Sequence, residues 1–269
     1  MKKQLWIFLA ITAMMPFLFT TVSAAQKTVY VSDGGAGDGT SQSAPLGSLT
    51  DAFTALGKDG GEIVIVGTAT LPKNPIGTSQ NAFVEPEHAG KVILRGADKN
   101  AVLLFRGTYQ YHLGGETEIR DLTLSSGSYT LGIDIAARGY HLTMSEGLTM
   151  HSTDKVSGEN GTKIYLYGGC RAGVPRSGYE SRDTHLTVKS GTYWFIGGFN
   201  RNMNVTSTGK ATVEIGGDVY TRFFVAGSTG TSSFVSPAGA DIFVIGDITI
   251  SQQLSLATRT AWSNPLTQT

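Results

Sequence analysis

The chain has 269 residues, with 35 glycines, 8 prolines and only 16% charged residues, a load that suits many turns and closely stacked backbones and lacks the period of collagen. Lysine plus arginine number 21, as do aspartate plus glutamate, so there is no basic surplus to draw the chain to nucleic acid or to an anionic membrane. Cys170 is the only cysteine, which excludes an intramolecular disulfide and leaves burial and hydrogen bonding to hold the fold.

Residues 1–24 read as a Sec signal peptide. Lys2 and Lys3 precede an apolar run from Leu5 to Phe19, and Val22-Ser23-Ala24 forms a small-residue cleavage site. An uncleaved N-terminal anchor is the alternative. No later apolar stretch is long enough to span a bilayer, so the mature chain is expected to be secreted or held at the cell surface without membrane insertion. Cleavage removes two lysines and no acids, which leaves 19 positive and 21 negative side chains, net −2.

Residues 25–57 are expected to form an opening strand, a Gly-rich loop and a capping helix. The loop Asp33-Gly34-Gly35-Ala36-Gly37-Asp38-Gly39 distantly resembles a calcium nonapeptide, but its aspartate stands one position early, and a tight loop fed by Asx turns is the simpler reading. Leu49, Ala52, Phe53 and Leu56 then fall at i, i+3, i+4 and i+7. Ser48 suits the N-cap and Gly57 the stop, which predicts a short amphipathic helix covering one end of whatever follows.

Residues 58–250 carry short alternating runs closed by glycines: Glu62–Val66, Lys91–Leu94, Ala101–Phe105, Tyr109–Leu113, and then a recurring phrase. Leu122–Gly127, Leu142–Gly147 and Leu186–Gly191 repeat Leu-Thr-apolar-x-x-Gly, and Ile164–Gly169 is a degenerate copy. Their first residues are spaced by 20, 22 and 22, and looser copies at Val213 and Phe243 follow after 27 and 30. Period two with the phrase always running in one direction predicts parallel stacking, each coil about 4.8 Å above the last. The expected fold is all-β: a right-handed parallel β-helix, or solenoid, with a short N-terminal capping helix. Its interior should hold Leu122, Leu124, Leu142, Met144, Ile164, Leu166, Leu186, Val188, Val213 and Ile215, and Phe243 and Ile245 form a further apolar pair with the same alternation. Residues 251–269 read as a tail or incomplete cap, with Leu254, Leu256 and Trp262 as possible plugs.

The segment Thr28–Leu56 with the following GGEIVIVGTATL resembles the N-terminal region of pectate-lyase-like β-helix proteins. KIYLYGGCRAG, THLTVKSGTYWFIGGFNRN and ATVEIGGDVYTRFFVAGS resemble Gly-rich repeats of large secreted surface proteins of gut Firmicutes. The resemblance implies a fold shared by polysaccharide lyases, glycoside hydrolases, tailspikes and adhesins, and so does not choose an activity. The acidic calcium clusters, Asn-Thr-Asp, paired aspartates and Gly-His-Gly of the enzymes are missing, and no two aspartates are adjacent.

The remaining candidates come from the repeats. Asp121, His141, Lys163 and His185 hold equivalent positions before the phrase and are expected to align in one outward column, a surface for an acidic sugar or a general base. On that spacing His141 and His185 lie two rungs apart, roughly 9.6 Å, too far to share a metal ion. Neither a metal nor another cofactor is expected. Trp194, in the run Tyr193-Trp194-Phe195, offers a ring for stacking on sugar. Cys170 reads as a buried small hydrophobe. The leading expectation is a binding or adhesin-like module for polysaccharide or cell-surface glycan. The alternatives are a lyase or hydrolase acting on an acidic glycan, and a purely structural repeat of a larger surface protein with flanking domains.

Overall fold

The computed structural model describes residues 26–72, 82–106, 110–127, 132–151, 163–171, 174–201, 206–227, 233–234 and 239–255. The expected signal segment lies outside them, as do Leu256 and Trp262 of the tail. The chain is mostly β: a parallel β-solenoid of about five turns with one short helix near its N-terminal end. Every named strand pair is parallel.

Three strips of sheet wrap one core. Face A stacks Thr28–Val31, Gly61–Ile65, Val92–Gly96, Thr117–Arg120, His141–Met144, the first part of Thr184–Gly197, the first part of Ala211–Val225, and Ala240–Val244. Face B stacks Thr68–Thr70, Val102–Leu104, Thr123–Ser125 and Thr149–His151. Face C begins with Ala82–Val84, Gln110–His112, Ile133–Ala136 and Ile164–Tyr167. In the later coils the two long strands run from face A round to face C, where Phe195 pairs with Tyr165 and with Phe223. Glycines carry the first of these corners: Gly191, Gly216 and Gly217 have φ of 108°, 149° and 115°, and a Cβ on Gly217 would strike the carbonyl oxygen of Lys189.

The register corrects the sequence reading of the repeat. Leu122 begins the phrase that enters face B, Leu142 and Leu186 lie on face A, and Ile164 lies on face C. One phrase therefore marks one strand and not one coil. Along face A, Thr117 pairs with Leu142, Leu142 with Leu186, and Leu186 with Val213, steps of 25, 44 and 27 residues. The inward assignment nevertheless holds for ten of the named residues, because the alternation is the same on every face. Leu122, Leu124, Leu142, Met144, Ile164, Leu166, Leu186, Val188, Val213 and Ile215 are all buried in one continuous core. Phe243 and Ile245 are the exceptions. Val213 pairs with Ile242 and Glu214 with Phe243, so Ile242 continues the inward column, while Phe243 and Ile245 are each 50% exposed.

The helix Leu49–Leu56 closes the N-terminal end. Ser48 has extended φ and ψ and its hydroxyl oxygen accepts the Asp51 N–H at 3.1 Å; Gly57 stops the helix at φ 72°. Leu49, Ala52, Phe53 and Leu56 face the core, and the Phe53 ring lies 5.9 Å from that of Phe83 on the first strand of face C. The Gly-rich loop is fastened by its own acids. Asp38 accepts from the amide and hydroxyl of Thr40, and Asp33 from those of Thr70, so both carboxylates are engaged by local donors.

Candidate ligand-binding face

The outward side chains of face A form in-register columns. One runs Lys91, Glu116, His141, His185, Thr212, Asp241; its neighbour runs Glu62, Ile93, Glu118, Thr143, Thr187, Glu214, Phe243. Arg95 and Arg120 stand beside them in a third. Acids and bases interleave. Lys91 reaches Glu118 at 2.7 Å, Arg95 and Arg120 share Glu62 at 2.7 and 3.3 Å, and Lys210 meets Asp241 at 2.6 Å. The face is thus charge-balanced, not a cationic groove.

His141 and His185 sit at its centre. They are direct partners on adjacent coils, with ring centroids 3.9 Å apart and planes within 3°. The expected separation of two rungs was wrong because the intervening phrase at Ile164 belongs to another face. His141 Nε2 lies 3.0 Å from Thr187 Oγ1, and that hydroxyl donates to Glu214 Oε2 at 3.0 Å. Since the Thr187 hydrogen points to Glu214, His141 donates through Nε2 and leaves Nδ1 toward Glu116, 4.0 Å away. His185 Nε2 lies 3.5 Å from Glu214 Oε1. Burial and the neighbouring His185 ring hold His141 below the ordinary imidazole pKa, against the pull of Glu116 and Glu214. A proton on His141 is thus disfavoured, and the stacked ring beside it adds to that cost. This arrangement offers hydrogen-bond donors and acceptors at half-exposed, ordered positions. Among the described residues no cluster of three or more His, Cys, Asp or Glu side chains is placed to hold a metal ion.

The other sequence candidates lie elsewhere. Asp121 sits at the corner between faces A and B with φ 51°, its amide donating to the Glu146 carbonyl and its carboxylate against Gly147. Lys163 precedes the face C strand Ile164–Tyr167, and its carbonyl accepts from Ile133 N. Neither joins the histidines. Of the aromatic run, Tyr193 is in the core and Phe195 is buried under the outer side of face C. Trp194 is the half-buried ring, with the Arg222 guanidinium 4.1 Å from its centre, so one face of the indole is already covered.

Sequence reasoning missed three buried polar clusters and one arm of face A. Glu214 already stood in the outward slot of the Val213 copy, equivalent to Thr187, and that was the available signal. Glu85, fully buried, accepts from Gly114 N at 2.8 Å, Thr117 Oγ1 at 3.1 Å, His88 Nε2 at 3.0 Å and the Tyr111 hydroxyl. Burial disfavours a proton on His88, yet the hydrogen bond and charge of Glu85 outweigh it and raise its pKa. Asp134 is held by Arg171 Nε at 2.6 Å and by Arg201, whose guanidinium lies over the Tyr165 ring. His112 is wholly buried, donates to Gln110 Oε1 at 3.0 Å, and is driven down to about 3, by burial first and by Arg138 and Arg171 second. Cys170 is buried, as expected, and burial raises its thiol.

Comparison with protein families, characterised proteins and solved structures finds no match to this chain. The β-solenoid agrees with the fold that the sequence resemblance implied, and no homologous family supports the kinship further.

Proposed function

We propose that the chain is an exported, surface-associated glycan-binding module in which the solenoid is the scaffold and face A the binding face. The observation that carries this reading is the in-register ladder from Glu62 to Asp241, centred on the His141–His185 stack with Thr187 and Glu214. Parallel coils repeat about every 4.8 Å, so the ladder presents polar groups along a line. A line suits an extended hydroxyl-rich polymer, whereas a small ligand favours a concave pocket. The balanced charge favours neutral glycans over strongly anionic ones, which departs from the uronate preference expected from sequence. Export rests on the signal pattern of residues 1–24. A glycan array probed with wild type and with a His141→Ala/His185→Ala variant tests the reading: hits shared by both proteins, or none for either, overturn it.

A second reading, a lyase or hydrolase on the same face, is favoured by one feature. Glu116, His141, His185 and Glu214 bring acids and bases together on four successive coils, with Thr187 linking His141 to Glu214. A neutral imidazole so placed can serve as a general base. Prolonged incubation with the polysaccharides that bind, followed by an assay for new reducing or unsaturated ends, separates the two; product formation lost in Glu214→Gln supports catalysis.

A further inference from the structure

A second feature lies on the edge where face C turns back to face A, just before the strand that opens with His141, and rests on other residues than the ladder. Four half-buried arginines pair with acids, Arg95 and Arg120 with Glu62, Arg171 and Arg201 with Asp134, and a fifth, Arg222, covers the Trp194 ring. Arg138, more deeply buried, does neither. It is 9% exposed, Nη1 donates to the Leu113 carbonyl at 3.0 Å, and buried Nε has no partner. No carboxylate of the described residues lies within ion-pair distance of it. Its backbone is at φ 57°, a conformation that glycine and asparagine or aspartate tolerate and arginine does not favour. Gly139 follows at φ 78°, so this turn already uses glycine where it is needed, and the strained position is nonetheless filled by a long cation.

Arg176 lies against the same turn. Its Nη1 donates to the Arg138 carbonyl at 3.3 Å, and its guanidinium is 3.6 Å from the centre of the Tyr140 ring. It too has no carboxylate at ion-pair distance among the described residues. Burial depresses its pKa, and repulsion from Arg182 and Arg138 adds to this, with Glu87 and Tyr140 pulling the other way. A guanidinium nearly buried at Arg138, and a second at Arg176 that is stacked on an aromatic face and repelled by the first, are electrostatically unfavourable without a counter-ion. A planar or tetrahedral oxyanion matches the fork of each guanidinium and would neutralise both.

We propose that Arg138 and Arg176 form an oxyanion site that takes a single carboxylate or sulfate group, such as those carried by acidic sugars. The alternative role for Arg138 is purely structural, through its bond to Leu113. Thermal unfolding of the full chain, with sodium sulfate or sodium glucuronate titrated against sodium chloride at equal ionic strength, distinguishes the two. The proposal expects a saturable rise in melting temperature with at least one oxyanion, reduced in Arg176→Gln and abolished in Arg138→Gln. Without oxyanion, Arg138→Gln should be no less stable than wild type, because it removes an uncompensated charge. No saturable response in wild type, or the same response in both variants, overturns the site. Should Arg138→Gln fail to fold, Arg176→Gln, whose side chain is partly exposed, carries the test alone. The pair lies beside the ladder, Arg138 three residues before His141 and Tyr140 directly before it. The response is therefore read from the arginine variants with both histidines intact, and its failure leaves the glycan reading, tested at the histidines, untouched.

Discussion

Leu186 and Thr187 are neighbours in sequence and opposite in environment, which makes them the sharpest probe of side-chain direction. Leu186 is wholly buried in the core, and Leu186→Ala is expected to cost about 2–5 kcal/mol through lost transfer energy and a cavity. Thr187 is also shielded, but by the polar groups of face A, and its hydroxyl serves His141 and Glu214. Thr187→Ala should cost about 1 kcal/mol, the usual net worth of such bonds. Equal losses in urea denaturation would contradict the inward and outward assignment. Histidines supply a pH signature. His112 sits near 3 in the folded chain and near the ordinary 6.5 when unfolded, so the unfolded chain binds the proton first as pH falls. Stability is then complete above 6.5 and declines below it, by at most about 1.4 kcal/mol per pH unit for one group. His141, also depressed, has the same sign. His88 is raised and opposes them: its contribution is present below 6.5 and lost as pH rises through its folded value. His112→Gln should flatten the loss of stability between pH 6.5 and 4.5; an unchanged pH dependence in the variant would show that the buried neutral imidazole is not its source.

Among the elements, the helix was legible because its signals are local: a capping serine, an i, i+3, i+4, i+7 stripe and a terminal glycine within ten residues. Phe53→Asp would set a charge against the core beside Phe83 and His88. The expected outcome is a lower melting temperature and aggregation, checked by light scattering, whereas a monomer that melts like wild type would show that the helix does not seal the core. Strands were legible too, since period two with β-branched residues reads the same anywhere. Their faces were not. Alternation says which side of a strand is buried and nothing about which strip of the solenoid it joins, so Leu122, Leu142 and Ile164 look like rungs of one ladder while lying on faces B, A and C. That single ambiguity separated Asp121 and Lys163 from the histidines and placed His141 and His185 in contact. The last strands show the other limit. Phe243, Val244, Ile245 and Leu254 are exposed in or beside the last described strands, a place in the stack that alternation cannot encode.

For the whole molecule, the balance of 21 cations and 21 anions in the sequence is matched locally along face A, where Lys91, Arg95, Arg120 and Lys210 alternate with Glu62, Glu116, Glu118, Glu214 and Asp241. The buried polar clusters at Glu85 and Asp134 were invisible in sequence because their members come from different coils, Glu85 and Thr117 being 32 residues apart and Asp134 and Arg201 67. They pin the coils in register and so keep the outward columns straight, which a ladder for an extended polymer requires. The most direct test of that ladder is calorimetric titration of one glycan, chosen from the array, as a series from monosaccharide to hexasaccharide. Affinity is expected to climb with each added sugar as successive coils are engaged and to fall for every length in His141→Ala/His185→Ala. A monosaccharide that binds as tightly as the hexasaccharide, or a series indifferent to the histidines, would contradict the account.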